Sequence, residues 1–214
     1  MKTVLVIGAG GIGGLLVDLL ARAIAESGFN EQVGPVSLTV MDGDTVEARN
    51  LPHQRFSRTD IGRPKVIALI DSISIYGGIE LIPVAEDFSA ETDISAYDLV
   101  VVAVDSERPR DLVHARAKHW LDLRSTGDGF VMFSHETDLE ILDNHPRVPE
   151  GVSAGCQLGD AIEKGNIQFG FALAATVGAQ WVIQWLRGSA TPTSRMYSIH
   201  MGLLPFFVKG EVDS

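Results

Sequence analysis

The feature that most constrains the fold is a short apolar segment followed at once by a run of glycines. Residues 4–7, Val-Leu-Val-Ile, are typical of a buried parallel strand. The segment 8–14, Gly-Ala-Gly-Gly-Ile-Gly-Gly, follows, and leucines at helical spacing continue over 12–26. The pattern therefore predicts a strand, a tight turn and a helix.

The glycines of this turn serve different physical purposes. Gly8 permits the tight turn, Gly10 lets a phosphate approach the backbone, and Gly13 lets the helix and the strand pack closely. A phosphate bound there would meet the positive end of the helix. Such turns occur in many nucleotide-binding proteins, and a purely structural tight turn is the alternative. The turn alone says little about chemistry.

Strands and helices alternate along the first part of the chain. We expect strands at 36–41, 79–84 and 97–104, with helices beginning near 62–65 and spanning 109–119. A polar connection is expected at 30–35.

The second part of the chain is expected to extend this arrangement. It predicts two short strands at 120–123 and 129–134, followed by a long loop at 136–155. A long apolar helix at 168–186, which is buried or dimer-facing, and one or two closing strands at 197–207 are then expected. The whole order predicts an α/β fold with a Rossmann-like, doubly wound, mostly parallel sheet, helices on both faces, and C-terminal strands that extend the sheet. Ligands then bind at the carboxyl ends of the strands.

Composition limits the kind of protein. With 214 residues and 45% hydrophobic content, residues 1–214 are expected to form a single domain. A formal net charge of -11 argues against a nucleic-acid or anionic-membrane partner. The first residues do not resemble a signal peptide and no apolar run has the length of a membrane span, so we expect a cytoplasmic protein. The single cysteine excludes an internal disulfide and a paired-cysteine zinc site.

A polar segment from Asp42 to Lys65 follows the second predicted strand. Asp42 ends that strand and is placed to accept hydrogen bonds from ribose hydroxyls. A polar run that ends in a lysine suits a triphosphate held for chemistry. Asp105 follows the fourth predicted strand, at the same edge of the sheet.

Five motifs occur together in this chain: Gly8-Ala-Gly-Gly-Ile-Gly13, Asp42-Gly-Asp44-x-Val46, Asn50-Leu-x-x-Gln54, Asp60-Ile-Gly62-x-x-Lys65 and Asp105-Ser106. The combination resembles the ThiF/MoeB/ubiquitin-activating-enzyme family of adenylyltransferases, over nearly the whole chain. The compact form and the segments 120–123 and 156–162 resemble most the ThiF-like proteins of plasmid PRTRC systems.

The resemblance implies a reaction and its partners. The family activates a C-terminal carboxylate of a ubiquitin-like or other small carrier protein, usually ending in Gly-Gly, with ATP and Mg²⁺. Pyrophosphate leaves, an acyl-adenylate forms, and the acyl group can then pass to a thiol. A homodimer is expected.

The resemblance also implies residue roles. Nucleotide-binding positions are Gly8, Gly10, Gly11, Gly13, Asp42, Asp44, Asn50, Gln54 and Lys65. Catalytic positions are Lys65, Asp105, Arg110 and Cys156, with Asp105 as the Mg²⁺ ligand, a role that suits a hard carboxylate oxygen.

Each of these residues has a simpler alternative role. These alternatives are a solvated first-turn lysine for Lys65, a helix cap for Asp105, turn geometry for Asp44 and Asn50, a helix-surface charge for Arg110 and a buried packing residue for Cys156. For Cys156 the reactive alternative assumes that the N-terminus of the long helix favours a thiolate.

One position departs from the family pattern. The family carries an arginine where this chain has His53, and a histidine is only partly charged near neutral pH. Arg49 or Arg55 is a candidate to compensate. The departure leaves a non-catalytic nucleotide-binding or scaffold protein as an alternative function. An NAD-dependent oxidoreductase is the less favoured alternative, because the segment 50–65 would then have no role.

Overall fold

Eight strands form one sheet in the computed structural model, which describes residues 1–73, 78–147 and 155–206. The strands are β1 (Lys2–Ile7), β2 (Val36–Met41), β3 (Ile79–Val84), β4 (Leu99–Val102), β5 (Trp120–Thr126), β6 (Gly129–Ser134), β7 (Ser194–Ser198) and β8 (Gly202–Leu204). The helices are α1 (Gly11–Ala25), α2 (Phe29–Val33), α3 (Lys65–Ser72), α4 (Glu107–Arg116), α5 (Leu139–Asn144) and α6 (Gly170–Leu186).

The sheet is parallel in its first part. The order is β3-β2-β1-β4-β5-β6-β7-β8. The first five strands in this order, β3-β2-β1-β4-β5, pair in parallel. From β1 the chain builds outward to β2 and β3, then returns to place β4 on the other side of β1. The direction of winding therefore reverses between β1 and β4, which is where open α/β sheets bind ligands.

The second part of the sheet is antiparallel. β5, β6, β7 and β8 pair in sequence as a meander that extends the parallel part. The predicted α/β class, the mostly parallel sheet and its C-terminal extension are confirmed.

Helices cover both faces of the sheet, as predicted. On one face α1, α3 and α6 pack against side chains such as Val6, Leu38 and Leu121. On the other face α4 and α5 cover side chains that include Ile7 and Val102. The central strands β1 and β4 are apolar in both directions over Val4–Ile7 and Leu99–Val102, because both of their faces are buried.

Several boundaries differ from the predicted ones. Two short helices replace parts of predicted loops: α2, which buries Phe29 and is followed by Gly34 at φ +97°, and α5, where the Asp138 side chain accepts a hydrogen bond of 2.8 Å from the Glu140 N–H. The fourth strand is shorter than predicted, and β5 continues to Thr126 because it pairs with β6 through the turn at 127–128.

The remaining differences concern the second half of the chain. α4 begins at Glu107 and ends at Arg116, earlier than predicted at both ends. The predicted loop residues 148–154 and the predicted strand residue at 207 lie outside the described residues. α6 packs against α1 and against β5 and β6 of its own chain. Within the described ranges, no helix has the length and apolarity that crossing a membrane requires.

Steric contacts require glycine at two positions of the glycine turn, Gly8 and Gly13. Gly8 has φ +102°, and a Cβ there would lie 2.6 Å from the Ala103 carbonyl oxygen. A Cβ on Gly13 would lie 1.8 Å from the Gly8 carbonyl oxygen, so α1 can approach β1 this closely only without a side chain. Gly10 differs, because its nearest neighbour, Gln54 Nε2, would lie 3.8 Å from such an atom.

We predict that Gly13→Ala destabilises the protein by about 3 kcal/mol or more, because the added methyl overlaps backbone that cannot rotate away. Urea denaturation measures the free energy of unfolding. Gly10→Ala is the matched control from the same turn, and we expect its effect to stay within about 1 kcal/mol. Equal losses for the two variants would contradict the packing described here.

Candidate functional site

A cleft of about 1570 Å³ opens where the winding of the sheet reverses, at the carboxyl ends of the parallel strands. It brings together most of the residues predicted from sequence: Gly8, Gly10, Gly11, Asp42, Asp44, Asn50, Gln54, Lys65, Asp105, Arg110 and Cys156. Gly13 does not line the cleft, since its role is the close packing of α1 on the turn. Asp87 and Phe88, which follow β3, also line the cleft and were not predicted.

Asp42 connects the glycine turn to the polar segment. Its Oδ2 accepts a hydrogen bond of 2.7 Å from the Ala9 N–H, and its Oδ1 accepts one of 2.9 Å from the Asp44 N–H. Burial raises the pKa of Asp42, although these two N–H groups and Lys65 act in the opposite direction. Each carboxylate oxygen has a second lone pair, so the group can also accept bonds from a ligand hydroxyl.

Lys65 is a buried lysine at the start of α3. The residue is 7% exposed, and its Nζ donates to Asp44 Oδ2 at 2.6 Å. Its backbone N–H donates to the Asp44 carbonyl at 2.9 Å. The alternative of a solvated first-turn lysine is therefore wrong. The exposed carboxylate of Asp44 thus holds the ammonium group of Lys65 at the cleft.

Asn50 and Gln54 form one local unit. Asn50 is buried, and its Oδ1 accepts a hydrogen bond of 2.8 Å from the Glu47 N–H in the 3-10 helix Ala48–Asn50. Its backbone carbonyl accepts from the Gln54 N–H at 2.9 Å. Asn50 thus has the turn-forming role that was its alternative, and this turn directs the Gln54 side chain towards Gly10.

His53 is neutral in this environment. Burial, together with the nearby Lys65 charge, lowers the pKa of His53, and its ring meets Phe171 edge-on at a centroid distance of 6.2 Å. Arg55 does not compensate for the missing charge, because it pairs with Asp18 at 2.9 Å and does not line the cleft. Arg49 does line the cleft and is highly exposed, paired with Glu47.

Asp105 lies in the turn between β4 and α4. The residue at the N-cap of α4 is Ser106, so the alternative that Asp105 caps the helix is wrong. Its carboxylate is exposed and lines the cleft. Over residues 1–73, 78–147 and 155–206, no group of three or more His, Cys, Asp or Glu side chains is arranged to hold a metal. A single carboxylate fits Mg²⁺, which keeps several waters and is bound through one or two carboxylates plus substrate phosphates.

Arg110 is a buried residue and not a helix-surface charge. It is 5% exposed, and its Nη1 donates to Asp122 Oδ1 at 2.8 Å. Asp122 is fully buried and also accepts from Arg124 Nη2 at 2.7 Å. Burial alone would raise the pKa of Asp122, but Arg110, His114 and Arg124 hold this pKa well below its usual range. Sequence reasoning missed Asp122 and Arg124, whose only signal was charge inside an apolar strand.

Cys156 lines the cleft and lies well before the long helix α6 in the chain, since that helix begins only at Gly170. The expectation that Cys156 directly precedes this helix is therefore wrong. Burial raises the pKa of the Cys156 thiol, with the Ser125 hydroxyl opposing part of the shift. Cys156 is therefore a protonated thiol at neutral pH.

The fold and the cleft define a Rossmann-like α/β protein whose ligand site is built from a glycine turn, a carboxylate after β2 and a buried lysine. The chain belongs to the ThiF family, since the family model matches residues 1–204. A search of curated proteins finds no match.

Solved structures share the fold. E. coli MccB with ATP is 17% identical with a TM-score of 0.62, covering 100% of this chain and 66% of that chain. Microcin C7 biosynthetic enzyme MccB in complex with N-formylated MccA is 16% identical with a TM-score of 0.67, covering 100% and 67%. PaaA is 17% identical with a TM-score of 0.60, covering 94% and 62%. The chain thus spans less than two thirds of the PaaA and ATP-bound MccB chains.

We predict that Asp122→Asn lowers the free energy of unfolding by about 3–5 kcal/mol, because two arginines lose a buried counter-charge. The depressed pKa means that this contribution is present above about pH 3.9, the value in unfolded chains, and is lost as the pH falls. Urea titrations at several pH values measure both effects.

The matched control for this prediction is Asp160→Asn, which removes an exposed pair with Lys164. We expect that control to change stability by less than about 1 kcal/mol. A loss of similar size in both variants would contradict the role assigned to burial.

We predict that alkylation of Cys156 by iodoacetamide accelerates with pH and does not level off near the usual thiol pKa of about 8.5. The reason is that burial favours the neutral thiol. Mass spectrometry of the single cysteine gives the rate at each pH. A plateau below pH 7 would show a thiolate and contradict the environment described.

Proposed function

We propose that this protein is an ATP-dependent adenylyltransferase that activates a carboxylate of a small protein or peptide. The observation that carries the proposal is the meeting of three groups around the glycine turn in one cleft: Asp42, Lys65 and Asp105. Asp42 follows β2, Lys65 begins α3 and Asp105 lies between β4 and α4. Together they offer an anchor for a nucleoside, a positive charge and an oxygen ligand for a divalent cation.

The charge at the glycine turn suits phosphates. α1 begins at Gly11 and runs for 15 residues, so its positive end and the N–H groups of its first turn lie beside Gly10. Lys65 adds a full charge that a phosphate can share with Asp44. Gly10 leaves the backbone open to a ligand, with only Gln54 near the position of an added methyl. Mononucleotide phosphates bind such turns in other α/β proteins.

The proposed reaction is a displacement at phosphorus. A carboxylate oxygen of the substrate attacks the α-phosphorus of ATP and forms a C(O)–O–P bond. The bond from the α-phosphorus to the bridging oxygen breaks, and pyrophosphate leaves with the electron pair. Lys65 and the N–H groups of the α1 terminus stabilise charge on the phosphate oxygens, and Asp42 fixes the ribose.

Asp105 is the residue that holds Mg²⁺ in this proposal. Mg²⁺ supplies neutralisation of the charge on the leaving pyrophosphate when it is bound. Two observations support this assignment: Asp105 lines the cleft in the β4–α4 turn, which lies beside the glycine turn, and its exposed carboxylate offers a hard oxygen ligand. Arg110 has no direct catalytic role in this proposal, because its guanidinium already donates hydrogen bonds to Asp122 and to the Ser106 carbonyl.

The size of the cleft supports a second substrate beside the nucleotide. Small-molecule sites reach about 1000 Å³, and this cleft has about 1570 Å³. Its lining also includes Phe130, Met196 and Tyr197, together with Arg147 and Cys156. We propose that an extended carrier tail, such as one ending in Gly-Gly, binds against these side chains. The homodimer, the cytoplasmic location and acyl transfer to Cys156 stay predictions.

A second candidate is a nucleotide-binding protein of the same family without catalysis. His53 favours it, because this neutral side chain stands where the family has an arginine. Of the two arginines considered as substitutes, only Arg49 lines the cleft. The two candidates differ in whether pyrophosphate exchange accompanies ATP binding.

We predict exchange of labelled pyrophosphate into ATP that depends on Mg²⁺ and on the carrier. Lys65→Ala and Asp105→Ala are expected to lower the exchange rate by about 10²-fold or more. The first removes a positive charge beside the phosphates, and the second removes the proposed ligand of the Mg²⁺ that neutralises them. Label recovered in ATP is the measurement.

Lys164→Ala and Asp160→Ala are the matched controls, since they remove one exposed lysine and one exposed aspartate outside the cleft. Wild-type rates are expected for both. ATP binding without exchange by the wild-type protein would support the second candidate, and full exchange by Lys65→Ala would contradict the site assignment.

A further inference from the structure

A buried carboxylate lies beneath the turn that carries Asp105. Asp122 is 0% exposed and stands opposite Val102 in the pairing of β4 with β5. A buried carboxylate is costly unless charged donors satisfy both of its oxygens. Arg110 donates to one oxygen of Asp122 and Arg124 to the other, beside His114, and both arginines lead towards the same turn.

The first arm is Arg110. Its Nη1 donates to Asp122 Oδ1 at 2.8 Å, its Nε donates to the Ser106 carbonyl at 3.2 Å, and its Nη2 donates to the Val104 carbonyl. These two carbonyls belong to the residues on either side of Asp105. One planar guanidinium therefore holds both sides of that residue, which is a geometry that an ammonium group cannot reproduce.

The second arm is Arg124. Its Nη2 donates to Asp122 Oδ2 at 2.7 Å, and its Nη1 donates to Glu107 Oε1 at 3.2 Å. Glu107 is the first residue of α4. The two arms therefore connect one buried carboxylate to the main chain on both sides of Asp105 and to the first residue of α4.

Asp105 itself belongs to neither neighbouring element, since β4 ends at Val102 and α4 begins at Glu107. The turn is tied to the sheet at its start, where the Ala103 N–H donates to the Ile7 carbonyl at 2.9 Å. The main chain of 103–106, which Arg110 holds at Val104 and Ser106, therefore sets the direction of the Asp105 Cα–Cβ bond.

We propose that Asp122 is a positioning residue that acts through Arg110 and Arg124 to aim Asp105 at the divalent cation accompanying the bound triphosphate. The inference rests on the proposed function in taking ATP as the ligand. Asp122 does not line the cleft, so its effect reaches the ligand only through the turn. Groups that orient a metal ligand typically change metal affinity or activity by about 10–100-fold when replaced.

The test compares ATP affinity with and without Mg²⁺. Calorimetric titrations with ATP in excess MgCl₂ and in EDTA are made on the wild-type protein and on Arg110→Lys. Lysine keeps the charge beside Asp122 but cannot also hold both carbonyls. We expect the gain in affinity that Mg²⁺ provides to fall about 10-fold, with the affinity in EDTA unchanged.

A double variant separates positioning from a merely structural role. Asp105→Asn is expected to remove the gain from Mg²⁺, and adding Arg110→Lys to it is expected to cause no further loss. Asp18→Asn is the matched control, because Asp18 is also buried and also paired with two arginines, Arg22 and Arg55. For Asp18→Asn we expect the same gain in ATP affinity from Mg²⁺ as for the wild-type protein.

The outcomes that overturn the inference are distinct from those for the proposed function. Arg110→Lys with the wild-type gain from Mg²⁺, or with equal losses in MgCl₂ and EDTA, overturns it. If Arg110→Lys does not fold, Asp122→Glu decides in the same way, since its longer carboxylate keeps the charge and displaces the guanidinium. Absence of pyrophosphate exchange together with the expected binding pattern defeats only the proposed function, and absence of ATP binding by the wild-type protein defeats both.

Discussion

The site depends first on one carboxylate, that of Asp42. Its two oxygens accept hydrogen bonds from the Ala9 and Asp44 N–H groups, so it joins the turn after β1 to the turn after β2. The Asp42 bridge adds to the hydrogen bond of 2.8 Å that the Gly8 N–H donates to the Met41 carbonyl, so side chain and main chain both join the glycine turn to the polar segment. Because β1 and β2 are parallel neighbours, the bridge sits at the edge where the sheet presents its strand ends. The lysine of α3 reaches the same place through Asp44.

The β4–α4 turn of the cleft is held by buried charge. Asp122, Arg110 and Arg124 form a network below this turn, and the arginines outweigh the cost of burying the carboxylate. The same cleft is lined by Lys65 and the start of α1, which suit phosphates, and by the carboxylate of Asp105, which suits a divalent cation. This combination suits an anionic ligand that carries its own cation.

The sequence was sufficient for the parts of the structure that follow from local pattern. The apolar runs at 4–7, 36–41 and 97–104 predicted parallel strands, and polar residues after parallel strands necessarily meet at one edge. The network around Asp122 was not predictable, since it depends on which strand lies beside β4 and on how α4 returns over it. The environment of Cys156 was mispredicted for a similar reason, because burial in the cleft and not helix position determines its pKa.

ATP is proposed to bind in the cleft where β1 and β4 end, with its phosphates at the glycine turn. A crystal structure of the protein with a non-hydrolysable ATP analogue and Mg²⁺ is the decisive measurement. We expect ribose hydroxyls on Asp42, phosphate oxygens within hydrogen-bond distance of Lys65 and of the first N–H groups of α1, and Mg²⁺ bound through Asp105. An analogue bound with its phosphates away from Gly10 and Lys65, or bound outside this cleft, would contradict it.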